Sequence, residues 1–116
     1  MSRRDDRVSM RQMLDHAKEA CEMAAGFKRA DLNTNRMLQL ALTRLVEIIG
    51  EAASRVSKET RGRFPQIPWS EIVGMRHRLV HGYDVVDLDL LWNTVKVDLP
   101  PLIKTLSHIL KRGKTP

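Results

Sequence analysis

Residues 33–57 read NTNRMLQLALTRLVEIIGEAASRVS, and their apolar side chains recur every three to four positions. This spacing predicts one long amphipathic helix. Its apolar face is broad and comprises Leu38, Ala41, Leu42, Leu45, Ile48, Ile49, Ala52 and Val56. Gly50 lies inside the pattern, although glycine costs a helix up to about 1 kcal/mol relative to alanine. A close helix crossing at Gly50 would explain its presence.

The residues before this stretch predict a first amphipathic helix. Apolar side chains recur at three- and four-residue spacing from about Arg4 to Ala25. Gly26 then provides a plausible stop, because glycine is common just past helix ends. Residues 27–32 are expected to form a short connection between the two helices.

The residues after position 57 begin with a predicted break. Residues 58–68 are polar and basic and contain two prolines, so we expect a loop there. A third helix is predicted to start near Trp69 or Ser70 and to end at Gly82. Ser70 is the best N-cap candidate, with Glu71 in the first turn, where a negative charge suits the helix dipole.

The C-terminal part predicts one more helix, N-capped by Asp87 and kinked or restarted at Pro100 and Pro101. No segment shows strand-like alternation of any length. We therefore predict the all-α class, as an antiparallel bundle of four or five helices. One domain is expected at residues 1–110, followed by a disordered basic tail at residues 111–116.

The composition narrows the classes of function. The 20 Lys and Arg against 14 Asp and Glu give a net charge of +6, which favours a polyanionic partner. Aromatic residues are only 4% of the chain, which argues against stacking of single-stranded bases on an aromatic ladder. Cys21 is the only cysteine, which excludes an intrachain disulfide and fits a reducing cytoplasm. No signal peptide or membrane span is predicted, so we expect a cytoplasmic protein.

Residues 75–83, MRHRLVHGY, are the one segment that looks like a reaction centre. Arg76 and Arg78 can each grip a phosphate through two N–H groups. His77 and His81 can take and return a proton near neutral pH, and Tyr83 adds a phenolic hydroxyl. Together they suggest chemistry on a phosphodiester, with RNA as the natural candidate.

The spacing within this segment bears on its geometry. On one straight helix, Arg76 and His81 would lie about 140° apart around the axis, whereas His77 and His81 would share a face. Arg76 and His81 can therefore act on the same atom in one of three ways. The helix unwinds near Gly82, the long arginine side chain reaches round the helix, or a second copy completes the site in a two-fold dimer. The two histidines could instead bind a metal, but two ligands make an incomplete site and no metal is expected.

The chain resembles the HEPN-domain toxins of the HepT type, the partners of MntA-type nucleotidyltransferase antitoxins. The resemblance covers roughly residues 4–108 and rests on EIIGEA at 47–52, PQIPW at 65–69, MRHRLVHGY at 75–83, Leu91-Trp92 and Leu99-Pro100. Arg76, His81 and Tyr83 match the family pattern Arg-x-x-x-x-His-x-Tyr. The position after the arginine is often asparagine in this branch and is His77 here.

The resemblance implies a helical bundle that dimerises through the motif helix and a metal-independent ribonuclease without a cofactor. In the scheme it suggests, His81 activates an RNA 2′-hydroxyl and Arg76 stabilises the transition state, with His77 in a supporting role. It also implies a cognate nucleotidyltransferase that silences the toxin by attaching AMP to Tyr83. Transfer RNA is a plausible target for this class, although no residue identifies it.

Other interpretations remain open at this point. The chain could be a non-catalytic helical module that binds and assists a minimal nucleotidyltransferase, or a structural dimer whose motif only packs. Tyr83 could be a packing tyrosine with a satisfied hydroxyl. Glu47 and Glu51 share a helix face, which could be solvated or form salt bridges to Arg44 or Arg55. A role in holding Arg76 in place is the other alternative.

Overall fold

The computed structural model describes residues 3–81 and 85–112, and two long helices dominate its first half. Helix α1 spans Arg3–Ala24 and is followed by Gly26 at φ +86°, so the predicted helix and its glycine stop are confirmed. Helix α2 spans Arg36–Ser54, three residues shorter at each end than the sequence pattern predicts. Asn35 is its N-cap, because the Asn35 side chain accepts a hydrogen bond from Leu38 N at 3.0 Å.

The connections on either side of α2 contain more helix than expected. A 3₁₀ helix, Arg29–Asn33, lies in the connection before α2. Helix α3, Lys58–Arg63, lies where a loop was predicted, so that prediction is wrong. The Ser57 side chain caps α3 by accepting from Thr60 N. The two prolines in this region come only after α3 and therefore do not interrupt it.

Asp6 anchors the start of α3 to α1. Its carboxylate is 3% exposed and accepts hydrogen bonds from Ser57 N at 2.9 Å, Ser57 Oγ at 2.6 Å and Thr60 Oγ1 at 2.6 Å. Burial acts to raise the pKa of Asp6, but these hydrogen bonds outweigh it, so the pKa lies below its usual value. The first helix thus supplies the acceptor that fixes a turn some fifty residues later in the chain.

The predicted third helix is two short helices. Helix α4 spans Trp69–Val73 and helix α5 spans Met75–Leu79, separated at Gly74. Pro68 occupies the N-cap position of α4 without a side-chain hydrogen bond, so the assignment of Ser70 as N-cap is wrong. The start of α4 is held instead by Trp69, whose Nε1 donates to Phe64 O at 3.0 Å.

The last part of the chain is one continuous helical rod. Helix α6, Leu88–Asn93, begins at Asp87, whose side chain accepts from Leu90 N as predicted. A π-helical turn, Thr94–Asp98, leads into helix α7, Leu99–Arg112. Pro100 and Pro101 lie in the first turn of α7 and cannot donate backbone hydrogen bonds to the preceding turn, which explains the wider turn there. Residues 111 and 112, assigned to a tail, are helical, and residues 113–116 lie outside the described residues.

The all-α class is confirmed. Helices α1, α2 and α7 enclose the core, and α4 and α5 cover one side of α2. The fully buried members of the core include Met13, Leu14, Ala17, Leu32, Leu42, Ala52, Leu79, Leu91 and Leu106. No helix in the described residues is long and apolar enough to cross a membrane.

Gly50 marks the crossing of α2 and α4. A Cβ atom at Gly50 would lie 3.0 Å from the backbone oxygen of Ile72 in α4. The close helix crossing expected at this glycine is therefore confirmed. This contact places α4 close against α2, and α5, which carries Arg76, follows α4 directly in the chain.

Candidate active site

The segment singled out in the sequence begins on a helix and ends on a strand. Helix α5 carries Arg76 and ends at Leu79, because Val80 is extended at φ −103° and ψ 116°. Val80–His81 forms strand β1, which pairs in antiparallel fashion with strand β2, Val85–Val86. A hydrogen bond from Asp87 N to Leu79 O at 2.8 Å closes the base of this pair.

This geometry corrects two predictions about the segment. The helix does not continue to Gly82, so His77 and His81 do not share a helix face, and the i, i+4 metal pair has no structural basis. The expected absence of strands is also wrong, although the pairing is only two residues long on each side. Val80 in β1 and both valines of β2 suit extended backbone, but an alternation pattern cannot be recognised in runs this short.

Arg76 is held by an acidic side chain on another helix. Its Nε lies 3.2 Å from Oε2 of Glu47 in α2. The Glu47 side chain is 19% exposed, whereas that of Arg76 is 65% exposed. The ion pair therefore holds Nε of Arg76 against α2, and a side chain this exposed leaves room for an anion to approach the guanidinium. Of the alternatives considered for Glu47, contact with Arg76 is the one observed.

A cleft of about 350 Å³ lies beside this ion pair. One wall is the outer face of α2, and the other is formed by Arg76, by Val80 of β1 and by Val86 of β2. Its lining comprises Arg36, Gln39, Leu40, Thr43, Arg44, Glu47, Arg76, Val80 and Val86. Within the part of the chain that the structure describes, the lining holds three cations and a single carboxylate, and that carboxylate is already paired with Arg76, so these residues give the cleft a positive character.

The other candidate residues are distributed as follows. His77 is exposed on α5. The backbone of His81 lies in β1, but its side chain lies outside the described residues, and so does Tyr83 as a whole. Glu51 pairs with Arg44 at 3.3 Å, as one of the sequence interpretations suggested. Of the candidate residues, the structure therefore brings Arg76 together with Glu47.

Sequence reasoning missed three polar residues of the cleft, namely Arg36, Gln39 and Thr43. They lie more than thirty residues before Arg76, and only folding brings α2 against α5. A helical projection offers a partial signal, because Arg36, Thr43 and Glu47 fall within about 40° of one another at 100° per residue. Nothing in the sequence shows that Arg76 reaches this face.

Metal-binding groups are sparse in the part of the chain that the structure describes. No cluster of three or more His, Cys, Asp or Glu side chains there could hold a metal ion. Burial raises the pKa of the Cys21 thiol, which lies 3.6 Å from Val95 O, so this cysteine favours the neutral form.

The family described as Ribonuclease HepT-like matches residues 13–109, a span that contains most of the core, the cleft and the segment at 75–83. This chain belongs to the HepT-like ribonuclease family. The resemblance inferred from the motifs is thereby confirmed. Membership identifies a ribonuclease-type protein with RNA as its substrate class.

Individual relatives of this HepT-like protein agree along nearly their full lengths. "Putative RNase MJ1380" of Methanocaldococcus jannaschii is 36% identical over 109 residues, covering 94% of this chain and 100% of the relative. "Probable ribonuclease HepT" of Thermococcus cleftensis is 38% identical over 98 residues, covering 81% and 89%. "Putative RNase TTE0752" of Caldanaerobacter subterraneus is 35% identical over 108 residues, covering 90% and 96%. No solved structure matches the chain significantly.

Proposed function

We propose that this chain is a metal-independent endoribonuclease toxin that acts in the cytoplasm as a homodimer and is paired with an MntA-type nucleotidyltransferase antitoxin. The observation that carries the proposal is that Arg76 is both held by an ion pair and exposed to solvent. Its Nε is fixed by Glu47 at 3.2 Å, and the side chain is 65% exposed beside a positively charged cleft. An arginine held in this way can bind a phosphate at little entropic cost.

In the proposed reaction, His81 accepts the proton of an RNA 2′-hydroxyl, and the resulting oxygen attacks the adjacent phosphate. Arg76 stabilises the negative charge that develops on the phosphate oxygens. A second histidine, either the partner's His81 or His77, protonates the departing 5′-oxygen. The products are a 2′,3′-cyclic phosphate and a 5′-hydroxyl. Proton transfer of this kind typically contributes about 10²- to 10⁴-fold to the rate.

Dimerisation would complete such a site, and the surface around the cleft suits it. Met37 is 82% exposed, Leu40 is 54% exposed and Val85 is 61% exposed. Leu40 lines the cleft, Met37 is one turn before it on α2, and Val85 adjoins the cleft residue Val86. Large apolar side chains exposed beside a charged cleft are typical of a contact between proteins. A two-fold contact there would bring two copies of Arg76 and His81 to one groove.

The proposed regulation is transfer of AMP to the Tyr83 hydroxyl. The resemblance to HepT toxins supports it, and Tyr83 is the single tyrosine of the chain. Because Tyr83 follows His81 by two residues, a nucleotide attached there would add bulk and negative charge next to the proposed general base. Both effects would oppose the approach of an RNA phosphate.

The first experiment is incubation of the purified protein with total cellular RNA in EDTA, followed by end-group analysis of the fragments. The parent protein should leave cyclic phosphates, and His81→Ala and Arg76→Ala should not cleave. Arg78→Ala is the matched control, because Arg78 lies on the same helix but donates to Glu71 O at 2.8 Å and lies outside the cleft. Absence of cleavage by folded, unmodified parent protein would favour the non-catalytic binding module instead.

The modification is tested separately by co-expression with an MntA-type nucleotidyltransferase and mass spectrometry of the intact chain. The parent should gain the mass of one or more AMP units, and Tyr83→Phe should gain none. AMP on the Tyr83→Phe variant would disprove the assignment to Tyr83. Absence of AMP on both proteins would argue against this form of regulation.

A further inference from the structure

We propose that the outer face of α2 binds an RNA backbone phosphate next to the one that is cut, through Arg36, Thr43 and Arg44. None of these residues belongs to the segment at 75–83. This inference rests on the proposed ribonuclease function, because it assigns the flanking contact of the same substrate. Its principal test measures binding and does not depend on cleavage.

The arginines of the cleft are each oriented by a neighbour and still have donors to spare. Arg36 Nη1 donates to Gln39 Oε1 at 3.3 Å, and Gln39 Nε2 in turn donates to Leu32 O. Arg44 Nη1 lies 3.3 Å from Glu51 Oε1, with the Arg44 side chain 59% exposed. A guanidinium has five N–H donors, so most of them remain available. Two pre-oriented cations on one wall of the cleft make an anion site that needs little rearrangement.

Thr43 gives an independent indication that a ligand binds here. The residue is 8% exposed, and within the described residues its Oγ1 has no hydrogen-bond partner. Threonine hydroxyls in helices usually donate to the carbonyl four residues earlier, and buried polar groups are almost always paired. Oγ1 itself is inaccessible to solvent, although Thr43 lines the cleft between Arg36 and Arg44. Threonine in a helix adopts two χ1 rotamers, so we infer that rotation about the Cα–Cβ bond turns Oγ1 to a phosphate oxygen bound there, which supplies the missing partner.

The chemistry of the lining favours a nucleic-acid backbone over bases. Among the described residues, those that line the cleft include no aromatic side chain on which a base could stack. Apart from the carboxylate of Glu47, which pairs with Arg76, the polar groups of this lining are arginines, an amide and a hydroxyl, which commonly contact phosphate and sugar oxygens. Arg76 lies in the same cleft, so a strand whose scissile phosphate meets Arg76 would place a neighbouring phosphate along α2.

The test uses a short single-stranded RNA with 2′-O-methyl groups throughout, which cannot undergo attack by its own 2′-oxygen. Its affinity is measured by fluorescence anisotropy over a series of salt concentrations. Arg36→Gln and Arg44→Gln should each lower the salt dependence, since each single-strand phosphate contact contributes about 0.7 to the logarithmic slope. Arg55→Gln is the control, because Arg55 is an exposed cation at the C-cap of α2 and does not line the cleft.

Thr43→Val separates a binding role from a structural one. Valine has nearly the same shape and lacks the hydroxyl, so replacing an unpaired buried group should not lower the melting temperature. RNA affinity should nevertheless fall on the order of three- to tenfold. If the parent also cleaves RNA, all three variants should raise KM and leave kcat nearly unchanged.

Three results would overturn the inference. Salt slopes for Arg36→Gln and Arg44→Gln equal to that of Arg55→Gln would show that no phosphate is contacted. Unchanged RNA affinity in Thr43→Val would show that the Thr43 hydroxyl does not contact the RNA. Weakened self-association in these variants, seen by sedimentation with unchanged RNA binding, would identify the cleft as a surface between copies of the chain. Binding losses in a protein that cleaves no RNA would support the phosphate site while refuting the catalytic proposal.

Discussion

Replacement of Gly50 by alanine tests how the candidate site is held together. The added methyl carbon would lie 3.0 Å from Ile72 O, whereas ordinary contacts begin at 3.4 Å, so α4 must withdraw by about 0.4 Å. Overpacking of this kind costs about 1–3 kcal/mol. The higher helix propensity of alanine offsets up to about 1 kcal/mol of this cost. We therefore expect a net loss of about 1 kcal/mol in the free energy of unfolding.

The free energy of unfolding is measured by urea titration monitored by circular dichroism, with a thermal scan beside it. For a chain of this length, 1 kcal/mol corresponds to a melting temperature lower by about 4 °C. Gly62→Ala is the matched control, because Gly62 also lies in a helix but an added Cβ there meets nothing within 4 Å. That substitution should leave stability unchanged or raise it by up to about 1 kcal/mol.

The stability changes of Gly50→Ala and Gly62→Ala together test whether α4 can approach α2 only because residue 50 is a glycine. Equal stabilisation by Gly50→Ala and Gly62→Ala would mean that the approach of α4 to α2 does not require a glycine. In that case the spacing between Arg76 and Glu47 would have to be set by other contacts. The expected result is a fall for Gly50→Ala only, with weaker RNA cleavage if the shift of α4 carries Arg76 away from Glu47.

Three further predictions concern stability. Asp6→Ala should cost about 2–3 kcal/mol at pH 7, because it leaves the hydroxyls of Ser57 and Thr60 without their acceptor. Because folding lowers the pKa of Asp6, its ionised carboxylate contributes fully to the free energy of unfolding above the unfolded pKa of 3.8. This contribution is lost as the pH falls further, so acid titration should destabilise the parent more steeply than the variant. Leu79→Ala should cost about 2–5 kcal/mol by urea titration, because Leu79 is 0% exposed; a cost below 1 kcal/mol would show that the end of α5 is loosely packed. Asp87→Ala should cost about 0.5–2 kcal/mol through loss of the N-cap of α6, and Asp87→Asn should cost less.

Local signals in the sequence predicted much of the fold. The helical spacing over residues 4–25 and 33–57 corresponds to α1 and α2, and Asp87 is an N-cap as expected. Such features depend on neighbouring residues alone, since a cap or an amphipathic face is set within one or two turns. The errors occur where distant residues contribute. Helix α3 needs the carboxylate of Asp6, which no pattern within residues 57–63 can reveal.

The candidate site also has features that the sequence predicted and features that only the tertiary structure revealed. The residue types at 75–83 pointed to phosphodiester chemistry without any structure, because arginine and histidine carry that chemistry wherever they lie. The tertiary structure decided that α5 stops at Leu79, that Arg76 meets Glu47, and that Arg36, Thr43 and Arg44 share its cleft. Periodicity specifies which face of a helix is buried, but not which other helix covers it. That choice depends on packing and on hydrogen bonds between residues far apart in the chain, and here the close approach at Gly50 brings the two walls of the cleft together.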